Sequence, residues 1–155
     1  MTTLLVVGYG NELRSDDAVG PRVARAVAGW QRTGVGGIAV HQLTPEMAAL
    51  LGETSVVVFV DAYGESENGK VRLRPLEAGP GAALRHTSDP RWLLALAEAL
   101  YGRRPEAWLL TIPAADFGLG RRLSPAARAG ARSALRRIRR IACSLDRTAE
   151  AARHA

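Results

Sequence analysis

The chain has 155 residues, 47% of them hydrophobic and 23% charged, which suits one globular domain able to bury its own core. Its single cysteine, Cys143, excludes an intrachain disulfide and a cysteine-based zinc site. The net charge of +6 does not point to nucleic acid, because eight arginines and no acid fall within 121–140 and the remainder is slightly negative.

Taken in chain order, Thr2 to Val7 is an apolar, β-branched run that predicts a buried strand. A turn follows at Gly8-Tyr9-Gly10-Asn11. Pro21 fits a first helical turn, so a helix is expected over about 20–30, with Val23, Ala26, Val27 and Trp30 on one face. Gly34, Gly36 and Gly37 read as a break, and Ile38 to Leu43 as a second strand. Pro45 opens a short helix through Leu51. Ser55 to Val60 is apolar at every position after Ser55, as a strand covered on both faces requires.

Val71, Leu73 and Leu76 predict a weaker strand. Only eight residues lie between Asp61 and Lys70, too few for a helical crossover, so this strand is expected to run antiparallel. Pro90 opens a helix over about 90–102 with Trp92, Leu93, Leu96 and Leu100 inward, and Ala107 to Ile112 is a fifth strand. Ser124-Pro125 pairs an N-cap with a proline in the first turn of the last helix. That helix is expected to end near Leu145, leaving 146–155 as a frayed tail behind a single 1–145 domain. Cys143 lies within it and reads as an inert buried thiol. The alternation predicts a three-layer α/β/α fold around a mostly parallel five-stranded sheet with one antiparallel strand.

Nothing at the N-terminus resembles a signal peptide, no apolar run reaches membrane-spanning length, and the arginine-rich stretch lacks the aromatics that stack bases. The expectation is a cytoplasmic protein that engages neither membrane nor nucleic acid. The basic stretch reads as a solvated helix face or as a surface for an acidic protein partner.

In α/β sheets, function gathers beyond the carboxyl ends of the strands. Three places stand out there: the loop Gly8 to Asp17, Asp61 after its apolar run, and His86 ahead of Pro90. A carboxylate at the position of Asp61 is desolvated unless a cation or donor meets it. Two carboxylates and an imidazole suit a borderline transition metal such as nickel or zinc and leave a coordination position open. Each residue also has a plainer reading. Asp16 or Asp17 can cap a turn, Asp61 can accept from a neighbouring turn, and His86 can cap the next helix. His41 reads as structural and His154 as part of the tail. The chain has no G-x-S-x-G elbow and no H-E-x-x-H, and Leu13 stands where a dinucleotide fingerprint needs its third glycine.

The motif Gly8-x-Gly10-Asn11-x-Leu13-x-x-Asp16-Asp17-x-x-Gly20 resembles the opening of the hydrogenase maturation proteases. Val58-Phe59-Val60-Asp61-Ala62, His86 ahead of a leucine-rich helix, and Leu123-Ser124-Pro125 resemble later family features in the same order. The resemblance implies a phosphorylase/hydrolase-like fold and an aspartic-type endopeptidase that activates a hydrogenase. The expected reaction is removal of a C-terminal peptide from a nickel-loaded large-subunit precursor. It implies Asp17, Asp61 and His86 as the catalytic and metal-contacting residues, with nickel carried by the substrate rather than held by the protease. Asn11, Asp16 and Thr44 are expected to touch substrate. After the second strand only Thr44, in His41-Gln42-Leu43-Thr44, matches the family, so that loop is a candidate for substrate choice. The rival readings are a non-catalytic nickel or precursor-binding chaperone using the same three residues, and a small nucleotide-binding α/β protein.

Overall fold

The computed structural model describes residues 2–64, 69–79 and 89–155. Strands β1 (Thr2–Tyr9), β2 (Val35–Val40), β3 (Thr54–Tyr63), β4 (Arg72–Leu76) and β5 (Glu106–Pro113) form one sheet in the order β2-β1-β3-β5-β4. The first four strands of that order run parallel, and β4 pairs antiparallel with β5 at the edge, Arg72 opposite Thr111 and Leu76 opposite Ala107. The fold expected from the alternation of strands and helices is therefore the one present.

Side-chain alternation sorts the core into two layers. Leu4, Val6, Val56, Val58 and Val60 point to one face, where helices α1 (Val19–Gly29) and α4 (Pro125–Arg153) bury Val23, Val27, Ala134 and Ile138 against them. Leu5, Val7, Val57 and Phe59 point to the other face, against Leu51 of α2 (Met47–Gly52) and Leu93 and Leu94 of α3 (Pro90–Tyr101). The chain leaves β1 through α1 to reach β2 and returns through α2, on the opposite face, to β3. The strand order thus reverses between β1 and β3, which opens a crevice beyond their carboxyl ends.

Several local expectations are corrected. β2 begins at Val35 and includes Gly36 and Gly37, which read as breakers. A Cβ on Gly37 would lie 2.0 Å from the Ala24 carbonyl oxygen, so this glycine lets α1 lie directly on the strand. The inward face of α3 is Leu93, Leu94 and Ala97, while Leu100 is 61% exposed. Trp92 and Leu96, half-buried, pack against the same core as expected, so only Leu100 departs from the expected face. α4 runs on to Arg153, so 146–153 is helix rather than a frayed tail. That stretch is rich in alanine, and Asp146 holds Arg32 of the neighbouring face. Cys143 is half-buried, with both terminal nitrogens of Arg32 3.6 Å from its Sγ. Among the described residues no helix is long and apolar enough to cross a membrane.

Two loops at the carboxyl end of the sheet are fastened together. One runs from Asn11 to the 3-10 turn Ser15–Ala18, and the other from Ala114 to Leu123. Asp16, fully buried, joins them: its carboxylate accepts from the backbone N–H of Ala115 (2.8 Å), Asp116 (3.0 Å) and Ser124 (2.7 Å) and from the Ser124 hydroxyl (2.7 Å). Burial pushes the Asp16 pKa up, but the hydrogen bonds from Ser124 and the two amides outweigh it and hold the group below the usual carboxylate range. Asp16, which was expected to touch substrate, has both oxygens engaged inside the protein.

Asp16→Asn presents an amide nitrogen to N–H donors and leaves them unsatisfied. The expected cost is about 2–4 kcal/mol at pH 7. The folded pKa lies below the unfolded one, so the wild-type contribution is complete above the unfolded pKa and is lost as pH falls through the folded value. The gap between wild type and Asp16→Asn in urea titrations should therefore narrow below about pH 4. Equal stability of the two proteins at pH 7 would show that the carboxylate does not brace the loops.

Candidate functional site at the carboxyl ends of β1 and β3

The opening motif uses its glycines to bring β1 against the start of α1. A Cβ on Gly8 would sit 1.9 Å from the Gly20 carbonyl oxygen, and one on Gly20 would sit 2.5 Å from that of Val60. At Gly10 (φ +150°) a Cβ would meet the Asp17 carbonyl oxygen at 2.0 Å. Backbone contact at these points puts the acid pair 16–17 directly over the ends of β1 and β3.

Ser15, at φ +48°, is strained for a residue with a side chain. It is held there by Oγ donating to the Gly118 carbonyl (2.8 Å) and by its N–H donating to the Gly120 carbonyl (2.9 Å). Asp16 and Asp17 follow each other in the 3-10 turn, where successive side chains project about 120° apart, so the two acids diverge. Asp16 points inward to its four donors. Asp17 faces the crevice, half-buried, with Oδ2 accepting from the Asn11 N–H at 2.7 Å.

Asp61 lies within β3, opposite Thr111 of β5, and lines a cavity that Asp17 does not, although the charge of Asp17 reaches it. Burial, then the negative charge of Asp17, raises its pKa from the ordinary carboxylate value to about 6. A hydrogen bond from the Tyr9 hydroxyl and one from the Ala62 N–H work the other way. Tyr9 is in turn pushed far up, by its burial first and then by the Asp61 charge, so it remains a donor. Asp17 and Asp61 are thus two mutually repelling carboxylates, of which Asp61 is poised near neutrality.

Tyr9, Asp61 and Asp89 line one cavity of about 880 Å3, with Arg74, Arg91 and Leu109. Asp89 is the N-cap of α3, accepting from the Arg91 N–H at 2.9 Å and pairing with the Arg91 guanidinium. This aspartate takes the capping role that His86 was a candidate for. His86 itself, three residues earlier in sequence, lies outside the described residues. Among the described residues no three metal-ligating side chains cluster.

A second cleft of about 570 Å3 adjoins the opening loop, lined by Gly10, Asn11, Val40, His41, Arg22 and Arg121 among others. Asn11, expected to touch substrate, lines this cleft, and its Oδ1 accepts from the Leu13 N–H (2.9 Å) and shapes the turn. His41, read as structural, is exposed on the cleft wall. Thr44 is half-buried beyond β2, and its hydroxyl meets the Glu46 carboxylate. It lines neither the 880 Å3 cavity nor this cleft. His154 caps the C-terminal end of α4, in the open. The sequence reading missed Tyr9, Asp89 and His41. Tyr9 could have been found by following the β1 register one residue past Gly8.

No family model and no curated protein matches the chain. Solved structures do. A hydrogenase 2 maturation peptidase from Thaumarchaeota archaeon SCGC_AB-539-E09 is 24% identical at TM-score 0.69, over 93% of this chain and 99% of that one. The hydrogenase maturating endopeptidase HybD from E. coli is 21% identical at TM-score 0.68, over 88% and 90%. The [NiFe] hydrogenase maturation protease HybD from Thermococcus kodakarensis is 23% identical at TM-score 0.68, over 90% and 99%. Across nearly its whole length, the chain has the fold of the hydrogenase maturation proteases.

Proposed function

We propose that the protein is an endopeptidase that removes a C-terminal peptide from a nickel-loaded hydrogenase large-subunit precursor. The observation that carries this reading is the pairing of Asp61 with Asp17 at the switch point of a sheet whose fold is that of such endopeptidases. Two carboxylates forced together by packing are relieved by a cation, and nickel arriving within the substrate supplies one. Asp17, Asp61 and His86 are the residues we assign to contact it, with Asn11 shaping the loop beside them.

Hydrolysis requires a water to add to the scissile carbonyl and a proton to reach the leaving amine. A carboxyl group with a pKa of about 6 can accept the water's proton near neutral pH and return it as the C–N bond breaks. The Tyr9 hydroxyl fixes the Asp61 rotamer for that exchange. When nickel lies against the pair it polarises the carbonyl as well. Localisation in the cytoplasm follows from the same reading, since a precursor is trimmed where it is made.

The direct test incubates the protein with nickel-loaded precursor and measures the substrate mass. Loss of a C-terminal peptide is expected for the wild type, and at least ~100-fold slower loss for Asp61→Asn, Asp17→Asn and His86→Ala. A stable complex whose substrate mass never changes would sink the endopeptidase reading and favour the chaperone. Full cleavage by Asp61→Asn would remove that carboxylate from both jobs.

Asp61→Asn also has an expected effect on stability. The folded pKa lies above the unfolded one, so the ionised side chain opposes folding fully above pH 6 and not at all below about pH 4. Thermal melts should show Asp61→Asn more stable than wild type at pH 7.5, by on the order of 2 kcal/mol, with the advantage gone at pH 4. A variant less stable than wild type at pH 7.5 would mean that Asp61 serves the fold as an acceptor.

A further inference from the structure

Arg22 and Arg121 wall the 570 Å3 cleft on the side away from β2, and the same two residues line a second hollow of about 400 Å3 with Arg122, Leu123 and Arg128. The two hollows share that wall, so a channel leads from the Gly10-Asn11 loop to the first turn of α4. Arg22 donates to the Arg121 carbonyl, which fixes the pair side by side. All four arginines are exposed. Arg25, Arg32, Arg91 and Arg104 each hold a carboxylate, whereas among the described residues none of these four does. The nearest acid, Glu12, is taken up by Arg25, whose hydrogen bond, with the fields of Arg22 and Arg121, keeps it below its usual range.

Two apolar side chains flank the channel. Leu119 is 93% exposed and Leu13 is 54% exposed, on loops tied by the Gly120 N–H donating to the Leu13 carbonyl at 2.9 Å. Guanidinium groups without a carboxylate partner among the described residues, in a concave channel beside exposed leucines and with no Phe, Tyr or Trp among its lining residues, fit an extended acidic peptide better than a nucleic acid, and Glu12 on the same wall is already taken by Arg25.

We propose that this channel docks an acidic stretch of the protein substrate. Arg22, Arg121, Arg122 and Arg128 hold its carboxylates, and Leu13 and Leu119 receive apolar side chains beside them. That the partner is the substrate rests on the endopeptidase reading. The docking does not, because it needs no hydrolysis.

The test uses fluorescence anisotropy of the full chain with a labelled peptide alternating glutamate and leucine, and with its glutamine counterpart. The glutamate peptide should bind, more weakly as salt rises, and the glutamine peptide at least ~tenfold more weakly. Arg121→Glu with Arg122→Glu should lower affinity about tenfold or more, while Arg137→Glu with Arg140→Glu, on a later turn of α4, should change it less than about twofold. Arg128→Gln, a single change on an exposed helix turn, should give an intermediate loss and stands in if the double reversal disturbs its loop. Equal binding of the two peptides, or unchanged affinity in both channel variants, would overturn the proposal. Random duplex DNA displacing the peptide at lower concentration than unlabelled peptide would overturn it in favour of a nucleic-acid surface. Peptide binding by a protein that leaves the nickel-loaded precursor uncut would instead refute the endopeptidase reading alone.

Discussion

The buried Asp16 carboxylate takes hydrogen bonds from three backbone amides and a hydroxyl, all from the segment that enters α4. An ionised group with no solvent access is tolerable only when each oxygen is met by donors, and here both are. The arrangement ties residues about 100 positions apart into one rigid shelf. Ser15 is driven to a positive φ on that shelf, and its strain is held by bonds to Gly118 and Gly120. With the 3-10 turn so fixed, its two acids project about 120° apart, and Asp17 is turned away from the donors of Asp16. Remove the buried carboxylate and the exposed one loses its aim.

Two aspartates at this end of the sheet therefore do opposite work, and the donors that meet each one decide which does what. Asp16 is stabilised in its charged form and belongs to the fold. Asp61, approached by Asp17 and partly desolvated, is penalised in its charged form. Groups poised in this way are costly to keep unless they bind or react, which is why perturbed carboxylates gather at functional sites. The Tyr9 hydroxyl recovers only part of that cost, and it leaves one face of Asp61 free for what enters the crevice.

Layering, strand order and the antiparallel edge were legible because they follow from unbroken apolar runs in β1 and β3, from a connection too short to cross over, and from proline-capped helices. The glycine motif was legible as a turn, but its main task is close backbone contact between Gly8 and Gly20, which spacing alone does not reveal. Gly36 and Gly37 misled for the same reason: a glycine under a tightly packed helix looks, in sequence, like one in a loop. Asp16 and Asp17 were recognised as important but their roles could not be separated, since which of two neighbours points inward depends on the φ of Ser15. Tyr9 was hidden because its partner, Asp61, is fifty-two residues away and meets it only through strand pairing. The end of α4 was set too early because sequence shows no partner for Asp146, whereas the fold supplies Arg32.

The charges at this end of the sheet are arranged in opposition. Asp61 and Asp89 line one cavity, within the field of Asp17, and Arg22, Arg121, Arg122 and Arg128 line another hollow without a carboxylate partner among the described residues. Were the two sets in contact they would neutralise each other and Asp61 would fall back to an ordinary pKa. A molecule that satisfies both zones must carry a cation toward the Asp61 cavity and negative charge along the arginine-lined hollow. A small metal ion alone meets the first demand and a simple acidic peptide alone meets the second. The substrate we propose, a protein chain bearing a bound metal next to an acidic segment, would meet both, and it would then be favoured over either part alone.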